Sequence, residues 1–188
     1  MPKRKVSLDS GLFFHFINLG SNRQLIFLEP EDYLHFLRGV QRWLAPVVEI
    51  LAYCLMPTHY HILGRIRQDM ESSQVSAAMQ RLGVSHASMI NKRYDRIGPL
   101  FKGRFEALPV TEYAYLSTLC LYIHSNPVKA RLVGQPEEWV YSNYLEWIGL
   151  RDGTLVGRTF VDDMFGGGLM YRTYMMEMLE NWRKNQHQ

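Results

Sequence analysis

His59 and His61 flank a single tyrosine and follow Met56-Pro57-Thr58, so two imidazoles stand one residue apart in a short stretch of the chain. In extended backbone, residues i and i+2 project from the same side, roughly 7 Å apart at about 3.4 Å per residue. That spacing suits two nitrogens converging on one ion, with Tyr60 pointing the other way to fill the layer beneath a sheet. The same pattern also describes two histidines on a wet strand face, so the pair alone leaves both readings open.

The elements that must hold the pair are legible around it. The stretch 47–67 is two apolar runs, VVEILAYCL and HYHILGRI, broken at Met56-Pro57-Thr58, which predicts two strands with a tight connection. Leu12 to Leu19 reads as a first strand, interrupted at Ser21-Asn22. Glu31 to Trp43 follows as a helix, with apolar Leu34, Leu37, Val40 and Leu44 and acids at its start, where the helix dipole favours them. Val75, Ala78, Met79, Leu82, Met89 and Ile90 form one helical stripe between Ser72 and Arg93, with Gly83 as a weak point. Leu100 to Val110 reads as a fourth strand. Thr111 is placed to cap a following helix whose apolar face is Leu116, Leu119, Cys120 and Ile123.

Strand, helix, strand, strand, helix, strand, helix is the order of an α+β, ferredoxin-like split βαβ antiparallel sheet with helices on one face, plus added C-terminal helices. Turn formers accumulate after Gly149, at Asp152-Gly153 and Gly166-Gly167-Gly168, before a Met-rich amphipathic helix from about Leu169 to Lys184. We therefore expect a domain over residues 1–149 and an appendage over 150–188.

At 188 residues with 47% hydrophobic and 13% aromatic side chains, the chain can bury one sizeable core. Cys54 and Cys120 both lie in apolar periodic segments, as buried free thiols would, rather than in a disulfide framework or zinc ribbon. No signal-peptide pattern follows Lys3-Arg4-Lys5 and no stretch nears 18 apolar residues, so the expected location is cytoplasmic with no membrane partner. A net charge of +3 does not by itself imply nucleic acid. The basic residues do group, however, as Lys3-Arg4-Lys5, Arg65 and Arg67, Lys92-Arg93 with Arg96, Lys102 with Arg104, and Lys129 with Arg131.

A second motif lies in Tyr122-Ile123-His124-Ser125-Asn126-Pro127-Val128-Lys129-Ala130-Arg131. Met-Pro-x-His-bulky-His, followed about sixty residues later by Tyr-Ile-x-x-Asn-Pro-Val-x-Ala, resembles the HUH single-tyrosine transposases of small insertion sequences. The REP-associated tyrosine transposases are the most similar branch. Asn22-Arg23-Gln24-Leu25-Ile26-Phe27 and Gly98-Pro99-Leu100-Phe101-Lys102-Gly103-Arg104-Phe105 resemble that branch in the same order, so the resemblance spans residues 11–149; Phe160 to Gly166 resembles it more loosely.

The resemblance implies a metal-dependent single-stranded DNA endonuclease and strand transferase acting on hairpin or palindromic DNA. Tyr122 would be the nucleophile, forming a 5′-phosphotyrosine linkage and releasing a 3′ hydroxyl. His59 and His61 would hold a divalent ion, Mg²⁺ or Mn²⁺, although imidazoles also accept zinc. Asn126, one helical turn after Tyr122, can complete the ligand set through its amide oxygen, yet an Asn before Pro127 equally marks a helix end. Arg23, Lys102, Arg104, Lys129 and Arg131 are candidate phosphate contacts. Phe101 and Phe105 read as core before they read as base-stacking surfaces. His124 lies about 200° round the helix from Tyr122 and is expected on the surface or behind the site, while Tyr113 and Tyr115 compete with Tyr122 on periodicity. A monomer is favoured over a homodimer. Three rival readings remain: a replication initiator or relaxase, which usually places the tyrosine before the histidines; a silent or domesticated hairpin-binding protein; and a metal hydrolase acting on other esters.

Overall fold

Alternation along the strands divides the molecule into two apolar layers. The computed structural model describes residues 6–157 and 159–186; the Lys3-Arg4-Lys5 cluster lies outside them. The strands are β1 (Phe13–Leu19), β2 (Val48–Met56), β3 (His59–Ile66) and β4 (Glu106–Val110), in the antiparallel order β2-β3-β1-β4 of a ferredoxin-like sheet. Phe16 faces Ile62 and Asn18 faces Tyr60 across β1 and β3, while His15 faces Leu63, Ile17 faces His61 and Leu19 faces His59.

Phe14, Phe16, Tyr60 and Ile62 therefore line one side. There α1 (Pro30–Gly39), prolonged by a π-helical turn over Val40–Leu44, packs with α2 (Ser72–Arg93). The Phe36 ring of α1 sits 4.9 Å from Tyr60 and 5.1 Å from His86 of α2. The two crossover helices share this face. The helix after the split βαβ, α3 (Tyr113–Lys129), takes the other, burying Leu116, Leu119, Cys120 and Ile123.

β2 and β3 form a hairpin in which Met56 pairs with His59, leaving Pro57-Thr58 as the connection. β2 bulges between Ile50 and Ala52, and Gly64 packs against the bulged strand so closely that a Cβ would lie 2.3 Å from Val48 Cγ1. β4 is shorter than the expected Leu100 to Val110. Gly98 takes φ +101°, and Pro99 and Gly103 cannot extend a regular ladder, so residues 98–105 stay irregular, tied by an isolated bridge from Phe101 to Gly20, just past β1. Pro109 is tolerated because β4 is an edge. The residue flanking the start of α3 is Glu112 rather than Thr111. Both cysteines are buried and free, and among the described residues no helix is long and apolar enough to cross a membrane.

The chain closes with α4 (Tyr144–Trp147), α5 (Thr159–Phe165) and α6 (Gly168–Asn185). Tyr171 of α6 is fully buried among Trp147, Phe165 and His124. Of the two places expected for His124, on the surface or behind the site, the surface is excluded: it is 1% exposed, and facing away from Tyr122 on α3 turns it into the layer beneath α6. Its tautomer follows from its neighbours. Asn143 Nδ2 donates to the Leu51 carbonyl, so Asn143 Oδ1 accepts from Tyr53 N–H and from His124 Nε2–H at 2.8 Å. His124 Nδ1 then accepts the Tyr171 hydroxyl at 2.7 Å. One neutral imidazole thus joins α3, α6 and β2.

Burial pushes the pKa of His124, and likewise of His86, down to about 4. The unfolded chain binds protons at these positions near pH 6.5 while the folded one does not, so stability is full above about 6.5 and declines as pH falls toward about 4. Each histidine contributes on the order of 3 kcal/mol to that decline. Denaturant unfolding at pH 7 and pH 4.5 should show the loss, and His124→Gln should show a smaller one; equal slopes would contradict the assignment.

Candidate active site

The sheet face beneath α3 carries the histidines. His61 is 4% exposed and His59 half-buried, their rings 4.9 Å apart at 89°. Each has one ring nitrogen engaged: His59 Nδ1 meets Thr58 Oγ1 at 3.0 Å, and His61 Nδ1 meets Nε2 of His15 at 2.9 Å. The nitrogens left over are the two Nε2 atoms, and His61 Nε2 is buried without any hydrogen-bond partner. A buried polar atom with no partner is costly and calls for a reason.

Burial lowers the pKa of all three imidazoles, His15 to about 4 and His61 well below its usual range, where His15 and His59 add repulsion. At neutral pH they are uncharged, the state in which imidazole offers a lone pair to a metal. Among the described residues no set of three or more His, Cys, Asp or Glu is arranged to hold an ion. The donor chemistry nevertheless fits a divalent cation: His59 and His61 supply two neutral nitrogens, one already orphaned, and oxygen donors would complete the set.

α3 brings Tyr122 over this pair. Its ring lies 5.6 Å from that of His61 at 80° and is 42% exposed, so it meets both His61 and solvent. Tyr113 and Tyr115 begin the same helix, are more exposed and make no ring contact with the histidines. Lys129, seven residues on, places Nζ 5.9 Å from the Tyr122 ring centroid, and partial burial lowers its pKa.

Asn126 stands between them, and α3 continues through Asn126-Pro127 instead of ending there. Pro127 has no N–H to give the Ile123 carbonyl, its partner one turn back. Asn126 Nδ2 substitutes, donating to the carbonyls of Tyr122 at 2.8 Å and Ile123 at 3.4 Å. The amide oxygen, the atom a cation would take, is left over.

The candidate phosphate contacts separate into groups. Lys102 and Arg104 are exposed on the loop that runs past the His59 end of β3, where Lys102 N–H donates to the carbonyl of Leu19, the residue paired with His59. Arg23, at φ +57°, is exposed on a turn bound to the same loop through Ser21 N–H to the Leu100 carbonyl and the Gln24 amide to Pro99 and Leu100. Lys129 adjoins Tyr122. Arg131 does not join them; it follows the end of α3 and lines an open groove of about 570 Å³ with Trp182 and Arg183. Phe101 and Phe105 are half-buried, Phe101 against Tyr60 and His86 and Phe105 against Phe16, as core residues are.

His15 was not among the sequence-derived candidates. A histidine between Phe14 and Phe16 in an apolar strand is a signal, but only the β1–β3 register reveals its partner.

Residues 10–126 match the model of the IS200-like transposase family, and the chain belongs to that family, the HUH single-tyrosine transposases. It is a transposase. A solved structure of a REP-associated tyrosine transposase bound to a REP hairpin shares the fold, with a TM-score of 0.65 and 16% identity over 84% of this chain and 98% of that one. A candidate transposase of Deinococcus radiodurans R1 aligns with a TM-score of 0.43 and 14% identity over 63% of this chain and 92% of that one. No curated protein matches the sequence significantly.

Because Asn126 replaces a missing backbone donor, Asn126→Ala should lower the stability of the metal-free protein by roughly 1 kcal/mol. Urea unfolding measures this, and an unchanged midpoint would leave the amide without its structural role.

Proposed function

We propose that this transposase cleaves and rejoins single-stranded DNA through Tyr122, with a divalent ion held by His59 and His61. The observation that carries the reading is the approach of Tyr122 to His61, whose buried Nε2 is unpaired. The phenol oxygen attacks phosphorus as the bond to the 3′ oxygen breaks, giving a 5′-phosphotyrosine and a free 3′ hydroxyl. A 3′ hydroxyl later attacks that linkage and returns the phenol, so one phosphodiester is exchanged for another without water or ATP.

The phenol gives up its proton as the new bond to phosphorus forms, and the departing 3′ oxygen takes one up. When bound, the ion polarises the scissile phosphate and neutralises charge developing on it. Mg²⁺ or Mn²⁺ suits two nitrogens completed by oxygens, and in this reading Asn126 Oδ1 would be the protein oxygen among them. Lys129 supplies a cation beside the nucleophile, while Arg23, Lys102 and Arg104 lie where a strand entering past His59 meets phosphate contacts; Arg131 would touch DNA farther from the cleavage point. The shared fold with a REP-hairpin-bound transposase supports folded hairpin DNA as the substrate. Tyr122 meets His61 within one chain, which favours a monomer over a homodimer. In this reading residues 150–188 are an appendage that steadies α3 through Tyr171.

Incubated with labelled single-stranded hairpins carrying flanking repeats and Mg²⁺ or Mn²⁺, the protein should give a covalent adduct on a denaturing gel. Tyr122→Phe should give none, and His59→Ala should slow its formation by about a hundredfold or more. An adduct formed by Tyr122→Phe would overturn the nucleophile; hairpin binding without any adduct would favour a silent binding protein. Hairpin affinity should fall on the order of a hundredfold between about 50 and 200 mM salt, whereas a flat response would count against a phosphate-contacting partner.

A further inference from the structure

We propose that His15 is a positioning residue, accepting a hydrogen bond from His61 Nδ1 and so holding the His61 Nε2 lone pair toward the ion site. This rests on the metal site proposed above and adds a residue that the sequence motifs do not contain.

The two rings meet through His15 Nε2 and His61 Nδ1 at 2.9 Å, their planes 27° apart. Between uncharged rings only one proton occupies that line. If it sat on His15, His61 would carry its own proton on Nε2, a buried N–H with no acceptor and no capacity to bind a cation. If it sits on His61 Nδ1, the same buried Nε2 becomes a lone pair, and His15 must carry its proton on Nδ1. Burial thus favours a single proton arrangement wherever a cation is to be held. A histidine ligand generally needs such an acceptor behind it to fix tautomer and ring angle.

The strand pairing supplies the geometry. Ile17 lies opposite His61 and His15 opposite Leu63, so His15 reaches His61 along the diagonal of the sheet face. At 5% exposure it sits behind His61, and it is not free to act as a ligand through the nitrogen that faces its neighbour.

Long-range ¹H–¹⁵N spectra of metal-free, ¹⁵N-labelled full-length protein distinguish Nδ1–H from Nε2–H histidines. We expect His61 to be Nδ1–H in the wild type. In His15→Phe, which keeps a ring but cannot accept, His61 should move toward Nε2–H, and Mn²⁺ affinity should fall about 10- to 100-fold. His15→Gln, whose amide oxygen can accept, should restore part of both. A wild-type His61 protonated on Nε2 would overturn the proposal, as would a His15→Phe protein with unchanged tautomer and Mn²⁺ affinity. Should His15→Phe fail to fold, the wild-type tautomer and His15→Gln still decide. Wild-type Mn²⁺ affinity in His61→Ala would instead show the metal reading to be wrong, a separate outcome from the tautomer result.

Discussion

The register of β3 against β1 is the constraint on which the rest of the molecule depends. Side chains alternate between faces with a period of two, so a slip of one residue would turn His59 and His61 into the aromatic core beneath α1 and α2 and bring Tyr60 to the surface beneath α3. Burial of Phe14, Phe16, Tyr60 and Ile62 on the opposite side holds the register, since each would have to leave the core for the pairing to shift. A layer of apolar packing thereby sets the position of two polar side chains on the opposite side of the sheet. The Pro57-Thr58 connection and the bulge of β2 around Gly64 lock the outer strand to the same alignment.

The helix that carries Tyr122 is held by a different kind of interaction. α3 presents Tyr122 and Lys129 on the face toward the histidines while His124, on its other side, ties it to Tyr171 and Asn143. Two polar anchors, one of them from the C-terminal helix, limit how α3 can roll over the sheet. The proline within the helix weakens its ladder beside Tyr122, and the amide of Asn126 repairs it. Asn126 thus answers a structural need whether or not its oxygen also meets a cation, and the two roles use different atoms of one side chain.

Electrostatics divide along the same lines. Inside, burial keeps His15, His61, His86 and His124 neutral; His124 has both ring nitrogens hydrogen-bonded, while His61 and His86 each keep one buried nitrogen without a partner. Outside, cations project from irregular segments around the His59 end of the sheet, at Arg23, Lys102 and Arg104. Neutral nitrogens suit a cation, and exposed cations suit phosphate.

Much of this was available in the sequence because it depends on short-range pattern. Hydrophobic periodicity gave the strand and helix order, His59-Tyr60-His61 gave a shared face, and Tyr122 with Asn126 gave a shared helical side. The irregular course of residues 98–105 was less legible, since apolar residues resembling a strand are held there by contacts with β1. The sequence left His124 between the surface and a place behind the site because helical angle says which way a side chain faces and not what packs there; the C-terminal helix arrives 47 residues later to cover it. The pairing of His15 with His61 lay wholly beyond a sequence reading. Its two residues are 46 positions apart and meet only through cross-strand register. Local chemistry and periodicity are written residue by residue, whereas the hydrogen-bond partner of a buried ring depends on how distant strands and helices finally pack.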